Sequence, residues 1–376
     1  MYWRFSSFYF FHFASLGVLV PYWSLYLKHQ GFSAVEIGEL MALLMATKII
    51  SPNIWGWIAD RTGRRLAVVR SGAALGMLAF IAVFFISGYW AMTVVMVLFS
   101  FFWNAVLPQF EANTLHYLGE QHHRYSSIRL WGSIGFIIAV AGLGQLLDVY
   151  DVSIVPLVML ILFFGILLAS MLAPRQDMIQ SSLAEQSMLS VLRKPQVLAL
   201  LAVCFLIQAS HGPYYTFYTL YMEGHGYTLS AIGQLWALGV VAEVGVFLLM
   251  PRLVKFYPLQ QLLLASLLLT TLRWLLIAYF PQFLPVVLFA QILHAASFGM
   301  YHATAIALIH SYFNGRLQGR GQAIYASISF GAGGALGSYY SGVVWEKMNT
   351  ASIFAIAAGL SAVGSLIAWR WLQKDG

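Results

Sequence analysis

The sequence predicts an all-α membrane protein, with twelve transmembrane helices in two pseudo-symmetric six-helix bundles. Three observations predict it. Of the 376 residues, 60% are hydrophobic and only 9% are charged, where a soluble domain carries about a quarter charged residues. Apolar runs long enough to cross about 30 Å of hydrocarbon, about 20 residues each, recur along the whole length. The second half of the chain also echoes the first at a fixed offset.

The apolar runs lie at 5–27, 36–58, 66–86, 91–115, 128–147, 152–173, 197–221, 230–251, 260–279, 285–310, 322–344 and 350–371. They lack period-two alternation, and unpaired backbone polar groups are intolerable in lipid, so each reads as a helix and not a barrel strand. The first run follows Arg4 and superficially resembles a secretory signal. It has no convincing small-residue cleavage site and similar segments follow it, so it is expected to remain as the first helix. Pro21, Pro108 and the glycines from Gly331 to Gly334 fall inside runs and mark kinks or close helix contacts. Cys204 is the single cysteine; no disulfide can form within the chain, and cysteine use does not indicate the redox compartment.

Positive charges set the orientation. With a cytoplasmic N-terminus, Arg4, Arg61, Arg64, Arg65, Arg70, Arg124, Arg129, Arg175, Arg193, Lys194, Arg252, Lys255, Arg316, Arg320, Arg370 and Lys374 all fall in or beside cytoplasmic segments. Only Lys28 and Lys347 fall on the other side. This asymmetry predicts a multi-pass protein of the inner (cytoplasmic) membrane with both termini cytoplasmic. It also accounts for the formal charge of +7 without a nucleic-acid partner. Lys48 and Arg273 remain, stranded at membrane depth.

The longest break, PRQDMIQSSLAEQSMLSVLRKPQ (174–196), divides the chain into an N-terminal bundle (1–173), a cytoplasmic linker (174–196) and a C-terminal bundle (197–376). At an offset of 195, residues 14–43 lie over 209–238, with Ala14/Ala209, Ser15/Ser210, Gly17/Gly212, Tyr26/Tyr221, Gly31/Gly226 and Gly38/Gly233 coinciding. Parallel six-helix repeats characterise transporters whose substrate sits at the midplane between the halves. The same offset places Lys48 on Glu243, so each half carries one ionisable residue at the same depth of its second helix.

The segment GWIADRTGRR (56–65) matches the loop signature G-x-x-x-D-R-x-G-R-R and resembles the major facilitator superfamily. That resemblance implies the major facilitator fold and a gating loop of Gly56, Asp60, Arg61, Gly63, Arg64 and Arg65, whose charges pair across helix ends in one conformation and release in the other. The corresponding second-half loop, PRLVKFYP, is degenerate. Within the superfamily, RLWGSIGF (129–136), QILHAASFGMYHA (291–303) and RGQAIYASISFGAGGALGS (320–338) resemble the phenylpropionate permease group, related to lactose permease and nucleoside:proton symporters. The resemblance implies substrate binding by Glu111 and Arg129, with Phe136 as the stacking ring. It also implies proton coupling through Glu243, Arg273 and His294. Ser297 stands where lactose permease has its proton-carrying carboxylate, and Gln291 where it has a lysine.

An ionisable side chain near the bilayer centre costs about 2.5–3.5 kcal/mol on insertion scales, so it faces a partner or an aqueous cavity. Lys48, Glu111, Arg129, Glu243 and Arg273 are such charges, and fixed salt bridges between helices are the alternative to a working site. His12, His211, His294 and His302 also fall in spans, where a neutral imidazole bonded to a neighbouring helix is the commoner situation; His302 joins the candidate coupling set. The pair at His122 and His123 lacks the further ligands a metal needs. Trp3, Tyr89, Trp90, Trp345, Trp369 and Trp371 sit at span ends as interface anchors. PYWSLY and PYYTFY, with Tyr22 and Tyr214, offer tyrosine-rich faces that either sandwich a planar ring or simply pack.

The expected function is proton-coupled uptake of a small aromatic carboxylate by alternating access, because cations outnumber carboxylates at membrane depth. Lys48 is then a point charge for the carboxylate. Symport of a neutral sugar or nucleoside is the alternative. No nucleotide loop, metal cluster or nucleophile-base set appears, so no enzyme activity, metal or cofactor is expected. The expected partners are a small-molecule substrate, protons and the lipid bilayer, with the protein acting as a monomer.

Overall fold

Among the described residues, 2–174 and 188–372 of this computed structural model, all regular structure is helical. Most of the expected linker and the side chains of residues 122, 123 and 316 lie outside that description. Helix α1 spans Tyr2–His29, α2 Ala34–Thr62, α3 Arg65–Ile81, α4 Tyr89–Leu118, α5 Tyr125–Leu147 and α6 Val155–Leu172. After a short turn at Met188–Leu192, α7 spans Pro195–Gly224, α8 Leu229–Phe256 and α9 Leu259–Tyr279. Two helices are composite. Helix α10 runs through Leu284–Ile292, a π-helical stretch Ala295–Met300 and Tyr301–Tyr312; α11 runs through Gln318–Ala326, a second π stretch Ser327–Gly333 and Gly334–Lys347. Helix α12 is Ser352–Trp371.

Each apolar run falls on one of these helices, and among the described residues ten helices are long and apolar enough to cross a membrane. Helix α2 carries Glu36, Glu39, Lys48, Asp60 and Arg61. Helix α11 opens on polar turns and contains a π stretch of its own.

Local chemistry sets the helix ends. Ser33 and Glu36 form a reciprocal capping box at the start of α2, and Gly63 ends that helix in the left-handed region at φ 66°. Gly31 and Gly226, paired by the repeat, both adopt φ 86° after α1 and α7. Their turns match as well: the N–H groups of Phe32 and Tyr227 donate to the carbonyls of Leu27 and Met222, each at 3.2 Å.

The helices form two compact units. One contains the described residues up to 174 together with Thr228–Ala237; the other contains 188–227 and 238–372. Within each unit a glycine lets the first helix approach the fifth. A Cβ on Gly17 would lie 2.7 Å from the carbonyl oxygen of Phe136 on α5, and one on Gly212 would lie 2.1 Å from the carbonyl carbon of Gly337 on α11. Such contacts allow backbone packing where lipid supplies no hydrophobic driving force. In the second unit, Val197, Leu200 and Cys204 on α7 pack with Leu263 and Leu267 on α9 and with Leu308 and Phe313 near the end of α10.

Candidate functional site

In the first unit, α4 and α5 bring Glu111 and Arg129 together. Nε of Arg129 lies 3.7 Å from Oε1 of Glu111, and the side chains are 32% and 34% exposed, so the pair stays accessible. Tyr125, one turn before Arg129 on α5, donates its hydroxyl hydrogen to the same carboxylate oxygen at 3.2 Å. The guanidinium lies 3.7 Å over the ring of Phe13 and 5.8 Å from that of Tyr9, both on α1. A Cβ on Gly132 would meet Nη1 of Arg129 at 2.6 Å and Cδ2 of Phe13 at 2.7 Å, so this glycine gives the cation and ring their space. Arginine suits such a site because its planar fork both stacks on rings and binds carboxylates with two donors.

Lys48 on α2 is half-buried, and among the described residues no carboxylate oxygen lies within 4.0 Å of its ammonium. Neighbouring polar residues are tied down instead. Nδ2 of Asn104 donates to the Thr47 hydroxyl at 2.8 Å, that hydroxyl contacts Ser100 at 3.0 Å, and the Ser51 hydroxyl donates to the carbonyl of Phe101. These bonds fix the turn of α2 that carries the ammonium against α4.

The other first-unit candidates stand apart from this pair. Phe136 packs against Trp236 with ring centroids 6.5 Å apart. Tyr22 is fully buried and donates its hydroxyl hydrogen to the carbonyl of Val140 at 2.7 Å, so it presents no accessible ring face. In the loop, Nη2 of Arg65 donates to Oδ1 of Asp60 at 2.7 Å, joining the end of α2 to the start of α3. Arg61 covers the ring of Trp57 at 5.2 Å, and Arg64 precedes the first turn of α3. A Cβ on Gly56 would lie 3.4 Å from Nε2 of Gln109 on α4.

In the second unit, Nε2 of His294 on α10 lies 3.4 Å from Oε2 of Glu243 on α8, and both side chains are largely buried. Gly299 permits this approach, because a Cβ there would meet Cγ of Glu243 at 3.1 Å. Nδ1 of His294 is buried without a hydrogen-bond partner. The imidazole stacks on Phe298, which stacks in turn on His302, with centroids 5.6 and 5.8 Å apart. Nδ1 of His302 lies 2.9 Å from the Tyr325 hydroxyl. The π stretch starts directly after His294, and such stretches recur at functional sites.

Arg273 on α9 is fully buried in a neutral cage. It donates from Nε to the Ala290 carbonyl at 3.0 Å, from Nη1 to the Ser297 hydroxyl at 2.9 Å and from Nη2 to Oε1 of Gln291 at 3.4 Å. The faces of Tyr214 and Trp274 cover it at 4.3 and 4.5 Å. No described carboxylate lies within 4.0 Å of it. Tyr214 is 1% exposed and donates to Gln291, whose Nε2 donates to the Tyr218 hydroxyl at 2.6 Å.

Sequence reasoning missed Tyr9, Phe13 and Tyr125. The four-residue spacings Tyr9/Phe13 and Tyr125/Arg129 were available signals, since residues so spaced share a helix face. It also read Arg70 only as a loop charge. Arg70 in fact donates to the carbonyls of Ser170, Met171 and Ala173, closing the end of α6.

The family described as "MFS_1 like family" matches residues 2–356. The protein described as "Probable 3-phenylpropionic acid transporter" of Escherichia coli (strain K12) is 28% identical over 93% of this chain and 92% of its own. The maltose permease of Geobacillus stearothermophilus is 26% identical over 96% of this chain and 92% of its own. Among solved structures, a point mutant of the nucleoside transporter NupG superposes with a TM-score of 0.88 at 16% identity, covering 99% of this chain and 100% of that one. At that identity the likeness speaks for the fold alone.

Proposed function

The chain belongs to the MFS_1-like family and is therefore a multi-pass secondary transporter and not an enzyme; on that premise we propose that it takes up a small aromatic carboxylate together with protons by alternating access. Lys48 carries the reading, as an ammonium within a membrane helix that has no described carboxylate within 4.0 Å. An intramembrane charge of this kind is a functional-site residue by default. With Arg129 it gives the first unit two cations at membrane depth against the single carboxylate of Glu111, a balance that suits an anion. Phe13 and Phe136, each only partly buried, supply ring faces for an arene, while Tyr9, Tyr22 and Tyr214 anchor their helices. The name of the Escherichia coli relative points to the same substrate class.

The division of roles follows from the contacts. Arg129 presents a forked donor to the substrate carboxylate, and Glu111 holds that fork in place until substrate arrives. Lys48 adds a point charge. Protons pass through Glu243 and His294, the carboxylate and imidazole 3.4 Å apart, with His302 next along the stack. Arg273 acts as a fixed positive charge. The Asp60/Arg65 bridge belongs to the gating loop. The protein works as a monomer in the inner membrane, with the linker and both termini on the cytoplasmic side.

Symport of a neutral sugar or nucleoside is the second reading. It is favoured by the accessible Glu111/Arg129 pair, which offers an acceptor beside a donor to hydroxyl groups. Purified protein in liposomes, given an inward proton gradient and a panel of arene acids, sugars and nucleosides, separates the two. Accumulation of arene acids supports the first reading; accumulation of only neutral compounds replaces it with the second.

A further inference from the structure

His12 on α1 takes no part in the machinery described so far, yet it occupies an unusual place. Its ring is 3% exposed and lies nearly parallel to two others, Phe8 at 5.9 Å and 11° and Trp103 at 5.0 Å and 16°. Phe8 continues the stack onto Phe110 at 3.5 Å and 13°. Four rings from α1 and α4 thus form one column with an imidazole inside it. Stacking fixes the plane of the imidazole and therefore the direction of its nitrogens.

Of those nitrogens only Nδ1 is sealed without a partner. A buried N–H left unpaired is among the rarest features of folded proteins, so the neutral ring places its proton on Nε2. Nε2 is then a donor of fixed direction with no described protein acceptor. Both membrane cations of this unit lie beside its neighbours. Arg129 lies over Phe13, the next residue on α1, and Asn104, next to Trp103, bonds Thr47, next to Lys48. The Phe13 ring lies 5.5 Å from the His12 ring, centroid to centroid, which brings the Arg129 guanidinium to the same corner of the unit. A neutral donor in a unit whose membrane charges are mainly positive has little to offer a cationic or purely apolar ligand. It completes a site for an anion.

We propose that His12 is a substrate-binding residue whose Nε2–H donates to the substrate carboxylate between Lys48 and Arg129, with the Phe8/Trp103 stack holding the imidazole in plane. The inference rests on the aromatic-carboxylate reading and adds to it a neutral donor that selects carboxylate over its uncharged analogues.

The test uses full-length protein in liposomes, with 3-phenylpropionate and its uncharged amide as probes, on wild type, His12→Phe and His12→Gln. Phenylalanine keeps a stacked ring and removes the donor; glutamine keeps a donor near the position of Nε2. Hydrogen bonds to charged groups contribute about 1.5–3 kcal/mol, so His12→Phe should weaken 3-phenylpropionate binding about ten- to a hundredfold. It should leave any amide binding and the detergent melting temperature close to wild type, and His12→Gln should recover most of the loss. Wild-type-like 3-phenylpropionate binding by His12→Phe overturns the proposal. So does an equal loss in both variants accompanied by lower melting temperatures, which makes the ring a packing element. If wild type itself binds no arene acid, the carboxylate reading falls and this inference with it.

Discussion

The guanidinium of Arg129 lies 3.7 Å over the ring of Phe13, in a space that a single methyl group on Gly132 would close. Lysine at position 129 keeps the charge but loses the fork and the flat face that stacks on the ring. Arg129→Lys should therefore raise the substrate KM about tenfold or more, on the scale of charge-assisted hydrogen bonds, while the protein still inserts and folds. Gly132→Ala should shift KM in the same direction by a smaller factor. Initial uptake rates across a substrate series check both, and an unchanged KM in Arg129→Lys removes this residue from the site.

Glu243 and His294 form the buried acid-imidazole contact of the second unit, with Ser297 close by but unable to carry a proton. Glu243→Gln should abolish accumulation driven by a pH gradient while leaving exchange of substrate across the membrane, which needs no net proton movement. Counterflow and gradient-driven uptake, measured on the same liposomes, separate the two activities. Accumulation that persists in the mutant transfers the proton to His294, where His294→Gln becomes the decisive variant.

Arg273 is held by three neutral acceptors and two ring faces, so removing it strands the groups it bonds. Each buried polar group left unpaired costs about 1–3 kcal/mol. Arg273→Met should lower the melting temperature in detergent strongly, far more than a change at Lys48. A variant that keeps its melting temperature but loses coupling would instead make Arg273 a moving part of the proton path.

Much of this architecture was legible in the residues. The span positions follow from hydrophobic run length, and the repeat pairs Gly17 with Gly212 and Gly31 with Gly226, which play matching crossing and turn roles in the two units. The family resemblance set Glu111 beside Arg129 and named Glu243, Arg273 and His294 for coupling, but it did not pair Glu243 with His294. Other features depend on contacts between distant segments, which no local pattern encodes. The cage of Arg273 draws on Ala290, Gln291 and Ser297 from another helix, and the hydroxyl of Tyr22 is committed to Val140 across 118 positions of chain. The π stretches at 295–300 and 327–333 have no strong sequence signal either, since a slipped hydrogen-bond ladder leaves hydropathy unchanged. Residues 228–237 cluster with the first unit although they follow it by a whole helix, an effect of packing and not of chain order.

Gly212 faces Gly337 so closely that an added Cβ would lie 2.1 Å from its backbone, a distance no real Cβ contact shows. Gly212→Ala must therefore push α7 off α11. Overpacking of this kind typically costs about 1–3 kcal/mol. A lowered melting temperature is expected, with a smaller effect for Gly17→Ala, where the corresponding distance is 2.7 Å. Equal tolerance of both substitutions would show that the helices can separate freely at these crossings.

Lys48 sits about ten residues, or roughly 15 Å of helix, from either end of its apolar run, too far to reach the interface easily. A fixed salt bridge would have explained its presence. The structure gives no described carboxylate within 4.0 Å of it, while its neighbours Thr47 and Ser51 are locked to α4. If the ammonium waits for the substrate's carboxylate, Lys48→Gln should abolish uptake of arene acids and leave the melting temperature within a degree or two of wild type. If it served as half of a structural pair, the same change would strand a buried carboxylate, and breaking such a pair costs about 3–5 kcal/mol, which melting would reveal. The two measurements on one variant point in opposite directions, so they discriminate between the roles. Wild-type-like uptake would remove Lys48 from the substrate site and with it the main reason for preferring an anionic substrate over a neutral one.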